Sequence, residues 1–332
     1  MKRIIALFLA CLMIFALCAC GEGEPVPTEP VPTETAPAYT PTSYRNHGKR
    51  ITVHEMPEKV LVAGPNCAEV FCALGLEDSV IGKCMTNHSR GILEQYKAAY
   101  KKIPTVCVGY PTLDDIINSG CDFLYASEWI FSDTLTVKSL EDAGILVYVN
   151  DAKSCKDIWN DILDLSRIFS LDNAGAEITE AEAARIDDVR SVITDAEPLK
   201  VLVVDSFVGD KIFTAGGDNI ETEFIASAGG VNVFEDLEKP WDAVSVEDIV
   251  AANPDFIIIH DYKDSGYKSK VQALKDNPEL QYLDCIRNER FIKLSLENLM
   301  PGVRSALTVE TLAHTMFYEL FAAAAEETSA PQ

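Results

Sequence analysis

Two stretches of this chain follow one template. Residues 112–126 read TLDDIINSGCDFLYA and residues 245–259 read SVEDIVAANPDFIII, and the two align without a gap. Asp114 falls on Glu247, Asp115 on Asp248, Ile116 on Ile249, Asp122 on Asp255 and Phe123 on Phe256. In each, a hydroxyl residue opens a short helix with two acids in its first turn, and an apolar run then reads as a buried strand. Such an echo at a constant offset constrains the fold to two halves of similar build.

The rest of the chain fits that constraint. From Ile51 onward, short apolar strands alternate with helical patterns, the signature of an α/β fold. In the first half KVLVAG, SVIG, TVCVG, DFLYAS and ILVYVN read as strands, while NCAEVFCALG and RGILEQYKAAY read as helices. In the second half KVLVVDS, KIFTAG, DFIIIHD and RFIKLS read as strands. There DNIETEFIASAGG is a helix opened by an Asp cap, and VRSALTVETLAHTMFYELFAAAA is a terminal helix. Between the halves, NAGAEITEAEAARIDDVRSVITDA has no proline and a single glycine. It reads as one long helix spanning about 30 Å at ~1.5 Å per residue, closed by Pro198. The expected fold is α/β: two doubly wound α/β lobes joined by one long helix, with a ligand cleft where the carboxyl ends of their strands face each other. The expected boundaries are an N-terminal lobe over 49–169, a backbone helix over 170–197, a C-terminal lobe over 198–325 and a disordered tail over 326–332.

The N-terminus indicates where the protein works. Met1, Lys2 and Arg3 are followed by the short apolar run IIALFLACLMIFALCA, the layout of a secretory signal over 1–19. LCAC, ending at Cys20 and followed by Gly21, resembles the lipobox of bacterial lipoproteins. That resemblance implies cleavage before Cys20 and lipid attachment to its sulfur. Residues 20–48, rich in Pro, Thr and Glu, read as a tether, because such a segment buries no core and stays extended. The expected location is extracytoplasmic, on the outer face of the cell membrane. A formal charge of −24 argues against nucleic acid or an anionic membrane surface as the main partner. Beyond Cys11, Cys18 and Cys20 the cysteines are Cys67, Cys72, Cys84, Cys107, Cys121, Cys155 and Cys285. An odd set in apolar contexts with no CxxC pair reads as core residues, and Cys67, Cys72 and Cys84 as no metal site.

With these pieces in place, the chain resembles the substrate-binding proteins of bacterial ABC importers for ferric siderophores, haem and vitamin B12. The resemblance rests on PEKVLVAGPNCAEVFCALGLEDSVIG, GYPTLDDI, IASAGGVNVFEDLEKPWDAVSVEDIVAANPDFIII and MPGVR, which occur in order between Ile51 and Phe321. It implies a rigid helical spine and capture of an iron chelate (siderophore or haem) or cobalamin. It further implies delivery to a permease homodimer or heterodimer with its ATPase, with the protein itself a monomer that has no cofactor and performs no chemistry. It also gives the echoed acids a role: Asp114 and Glu247 would each engage arginines on one permease subunit. Twin like charges suit a two-fold partner, and carboxylate–Arg contacts add orientation. Asp114 is shorter than the Glu usual there, and Asp115 and Asp248 compete for the role.

Strand-end loops supply the candidate ligand contacts. They are Asn66, Met85, His88, Arg90, Tyr110 and Trp129 in the first lobe. In the second they are Phe207, Trp241, His260, Tyr262, Asn298, Met300 and Arg304. The resemblance places an aromatic at Trp241 against the ligand, and flat aromatic faces suit a macrocycle or chelate shell. Met85, His88, His260 and Tyr262 carry atoms able to ligate iron. Arg90 could meet an anionic guest, and Arg304 either a guest or a structural salt-bridge partner. GxSxG, HExxH and Walker patterns are missing from the sequence, so no enzyme is expected. The alternative is a metal-ion-binding or adhesin-like lipoprotein of the same fold, but five scattered histidines without an HxH pair disfavour an ion site.

Overall fold

The computed structural model describes residues 39–171 and 173–329. The signal segment, Cys20 and the first part of the tether lie outside the described residues. The chain opens with a hairpin of β1 (Thr42–Asn46) and β2 (Lys49–Val53). The first lobe is a parallel sheet of β3 (Val60–Ala63), β4 (Val80–Cys84), β5 (Phe123–Ser127) and β6 (Leu146–Asn150) in the order β4-β3-β5-β6. The second lobe contributes β7 (Leu199–Val204), β8 (Ser206–Val208), β9 (Lys211–Ala215), β10 (Gly230–Asn232), β11 (Trp241–Val244), β12 (Phe256–Asp261) and β13 (Phe291–Ser295). Of these, β10-β7-β12-β13 form a second parallel sheet, and β11-β9-β8 a small antiparallel one.

Parallel sheets bury both faces, which is why VLVA and FLYAS are buried at every position. Alternate residues then belong to different cores. Val60, Val62, Phe123 and Tyr125 of the first sheet share one apolar cluster with Val201, Val203, Ile258 and Ile292 of the second. The helices between them, Cys155–Ile168 and Ser305–Met316, fill it with Ile158, Ile162, Leu165, Val309 and Leu312. The outward faces have separate cores: Leu61, Leu124, Ile116 and Leu140 in the first lobe, and Leu202, Ile257, Ile249 and Leu274 in the second. The middle layer therefore belongs to both lobes, so sliding one lobe past the other would expose apolar surface common to both.

The long helix spans Ala174–Val192, 19 residues, or about 28 Å. Its one glycine has a reason. A Cβ on Gly175 would sit 2.6 Å from the Cβ of Ser166 on the preceding helix, so a side chain there would force the two helices apart. Arg185 on the same helix reaches Glu310 and Glu182, and Glu182 in turn accepts the Ala306 backbone N–H at 2.8 Å.

Several local expectations change. The hairpin folds residues from Thr42 that read as tether, because Tyr44 is buried and stacks on Tyr148 at 4.9 Å. TVCVG is not a strand: it follows β4 through a single bridge, Lys83 to Thr105, and scattered backbone bonds. RGILEQYKAAY is a 3-10 turn over Glu94–Tyr96 and a helix only over Lys97–Lys102. The long helix ends at Val192, before Pro198, where Ile193 departs from helical geometry. The cap of Ile220–Ser227 is Asn219, whose side chain accepts from the Glu221 N–H, rather than Asp218. The terminal helix breaks at Phe317, which is turned into the shared core, and resumes as Tyr318–Ser329.

Candidate functional site

The strand ends converge on one cleft of about 750 Å³. In its wall, Glu128 directly follows β5, Asn150 ends β6, Asp205 follows β7, Tyr262 follows β12 and Leu296 follows β13. The cleft thus lies at the carboxyl ends of both parallel sheets, where open α/β sheets place their ligands. Tyr110, Trp129 and Phe131 line it from the first lobe, and Phe213, Trp241 and Tyr262 from the second. Tyr110 and Trp129 are 56% and 39% exposed, too open to be core packing. Trp241 is held more firmly, stacked on Phe213 at 5.7 Å and edge-on to His260 at 5.9 Å.

Beneath Trp241 lies a buried polar cluster. His260, 1% exposed, sets Nδ1 3.0 Å from Asp205 Oδ1 and Nε2 2.9 Å from Glu221 Oε2. The Tyr262 hydroxyl lies 2.8 Å from the same Nδ1 and donates a short hydrogen bond to Asp205. Burial pulls the His260 pKa down, but Glu221 and Asp205 outweigh it and raise it to about 9. The imidazole is therefore a cation at neutral pH. Burial pushes Asp205 up, yet the bonds from His260 and Tyr262 hold its carboxyl well below the usual carboxylate range. Lys270 closes the cluster from behind, donating to the Asp205 and His260 carbonyls with its ammonium 4.5 Å from the Tyr262 ring centre.

The thirteen expected ligand contacts divide in two. His88, Tyr110, Trp129, Trp241, Tyr262 and Met300 line the cleft. The other seven do not, and all but Phe207 have a structural occupation. Asn66 is buried and donates to Asn150 Oδ1 and the Pro301 carbonyl, both at 2.8 Å. Met85 packs in the outer core of the first lobe. Arg90 pairs with Asp261 at 2.8 Å, and Phe207 lies exposed on β8. His260 sits behind its two carboxylates, and Asn298 bonds Ser295 and Arg304. Arg304 is buried in a two-pronged pair with Glu69, Nε to Oε2 at 2.6 Å and Nη2 to Oε1 at 2.5 Å. That pair ties the lobes together across the chain, the structural option left open for Arg304 in the sequence.

Iron ligation by the histidines conflicts with their surroundings. Both ring nitrogens of His88 are engaged, by Asp264 at 3.0 Å and Asn87 at 2.9 Å, as are both of His260. Burial pushes the Cys67 thiol up to about 12 and that of Cys72 to about 11, which keeps both protonated. No group of three or more His, Cys, Asp or Glu able to hold a metal ion occurs among the described residues. Asp205 and Glu221 were missed in the sequence. Asp205 carried a signal, since it ends the strand KVLVVDS as His260 ends DFIIIHD. Glu221 had none beyond its place in a helix's first turn.

Away from the cleft, the echoed helices Leu113–Ser119 and Val246–Ala252 match in detail. Thr112 and Ser245 accept from the N–H of Asp115 and of Asp248, each at 3.1 Å, and those carboxylates in turn accept the Thr112 and Ser245 N–H to complete capping boxes. The Thr112 and Ser245 bonds hold Asp115 and Asp248 below the ordinary carboxylate range. Each helix ends in a left-handed residue, Gly120 or Asn253. Asp122 then accepts the Lys59 N–H at 2.9 Å and Asp255 the Lys200 N–H at 2.8 Å. With Asp115 and Asp248 committed to capping, Asp114 and Glu247 are left exposed, with no side-chain partner among the described residues.

Comparison with known proteins agrees with this geometry. Over its full-length match, the chain is 23% identical to an uncharacterized ABC transporter substrate-binding lipoprotein, YvrC, of Bacillus subtilis (strain 168), covering 94% of this chain and 97% of that one. It is 25% identical to the vitamin B12-binding protein of Vibrio vulnificus (strain YJ016), over 76% of this chain and 88% of the other. The structure of an ABC-type Fe3+-hydroxamate transport system from Saccharomonospora viridis superposes with a TM-score of 0.71 at 21% identity, covering 83% of this chain and 99% of that one. The family model for periplasmic binding proteins matches residues 60–296, well over half of the chain, and the chain belongs to that family.

Proposed function

We propose that the protein is the extracytoplasmic substrate-binding component of an ABC importer. Anchored through lipid on Cys20, it captures a metal chelate and passes it to a permease with its ATPase, catalysing no reaction. The observation that carries this reading is the cleft, an aromatic-walled space of about 750 Å³ at the strand ends of two lobes locked by one core. A space of that size suits a bulky guest gripped through its surface. Because the imidazole nitrogens of His88 and His260 are already engaged, the reading favours a guest whose metal is fully ligated before binding. Cobalamin and ferric hydroxamates meet that condition, and haem, with axial positions to fill, meets it less well. Asp114 and Glu247 are the proposed docking acids for the two permease subunits.

The test is a titration of the purified protein with cyanocobalamin, a ferric trihydroxamate and haem, followed through tryptophan emission, since Trp129 and Trp241 line the cleft. Saturable quenching by one of the first two is expected. Trp241→Ala should weaken it about tenfold, the equivalent of ~1.4 kcal/mol. Saturation by none of the three overturns the reading.

A further inference from the structure

The charges of the cleft narrow the guest further, on the reading just given. Its wall offers acceptors and withholds cations. Glu221 is 3% exposed, lines the cleft and spends Oε2 on His260, while Oε1 takes no hydrogen bond among the described residues. Asp205 and Asp151 also face the space. The one lysine in the wall, Lys153, is committed to Glu128 at 2.8 Å, the two wall histidines His47 and His88 face Asp151 at 3.6 Å and Asp264 at 3.0 Å, and no arginine lines the cleft among the described residues. The two cations that balance the floor are out of reach. His260 gives both its protons to carboxylates, and Lys270 gives its own to backbone carbonyls from behind. A carboxylate or catecholate on the guest would meet negative groups with no free cation to answer it, and shedding its water would go uncompensated. A guest N–H would meet a carboxylate oxygen on the cleft wall that has no protein donor among the described residues, and a bond to an ionised acceptor is stronger than one between neutral groups.

We infer that the guest is an uncharged or cationic chelate that places an N–H donor, an ammonium or a primary amide, on Glu221 Oε1. The aromatic walls grip the body of the chelate, and the carboxylate reads its edge. The same arrangement excludes polyanionic chelates, which the overall fold could otherwise accommodate.

The test compares four probes on the purified protein by calorimetry. They are a linear ferric trihydroxamate with a free terminal amine, the same chelate N-acetylated, cyanocobalamin with its primary amides, and a trianionic ferric tricatecholate. The amine-bearing chelate or cyanocobalamin should bind at least tenfold more tightly than the tricatecholate. If the amine-bearing chelate is the tighter of those two, acetylation should weaken it and Glu221→Gln should erase the difference between the acetylated and free forms. If cyanocobalamin is the tighter, Glu221→Gln should weaken it about tenfold while the circular dichroism stays unchanged. The probe comparison on the unaltered protein holds even if the variant fails to fold. Tightest binding by the tricatecholate, or full retention of affinity in folded Glu221→Gln, overturns this inference and leaves the importer reading standing. Binding of none of the probes removes both.

Discussion

The two lobes agree on their outer faces and differ on their inner ones. Outside, Leu113–Ser119 and Val246–Ala252 share a capping box, a left-handed end and an aspartate fastening the next strand. Inside, the first lobe presents Tyr110, Trp129 and the Glu128–Lys153 pair, whereas the second presents Trp241 above a histidine clamped by carboxylates. A surface kept in duplicate suits a partner that shows the same face twice. Unlike surfaces suit a guest gripped on two different sides. In the proposed function the duplicated tips serve the permease and the unlike walls serve the chelate.

The largest effect should come from separating the lobes. Arg304→Ala leaves the buried Glu69 without its guanidinium partner, and is expected to cost about 3–5 kcal/mol in urea unfolding. Replacing both residues with apolar ones of similar size should recover most of the loss. A single-variant cost below ~1 kcal/mol would show that the halves are held by the shared core alone.

Next is the feature that sets the inner wall of the second lobe apart. The folded pKa of His260, about 9, lies above its unfolded value. Its contribution is therefore complete below pH ~6.5 and is lost as pH rises through about 9, amounting to roughly 3 kcal/mol. The stability difference between the natural protein and His260→Gln should shrink over that window. A difference that is flat with pH would mean that the histidine is not charged in the folded protein.

Smaller still are the effects at the twin tips. Asp115→Ala and Asp248→Ala each break a capping box and should lower the urea midpoint slightly and nearly equally. Asp114→Ala and Glu247→Ala should stay within ~0.5 kcal/mol, since neither acid has a partner among the described residues.

How much of this was legible in the sequence follows from what kind of signal each feature leaves. The strands and the twin helices were readable because burial on both faces and capping are local patterns. Six cleft residues were readable because strand ends point to one side. That Asn66 and Arg304 lie outside the cleft wall was not readable, because a loop position reveals nothing about a partner such as Pro301 or Glu69 far away in the chain. The hairpin at Thr42 was hidden because its one strong anchor, Tyr44, finds Tyr148 only after folding. The floor of the cleft was hidden for a related reason: Asp205, Glu221 and His260 come from three separate elements, and no spacing rule unites them.

The measurement that tests the account most directly is the double variant Asp114→Ala, Glu247→Ala, assayed for chelate affinity in solution and for uptake by cells. Affinity within twofold of the natural protein together with loss of uptake is the predicted result, because neither Asp114 nor Glu247 lines the cleft. Uptake at the natural level would contradict it.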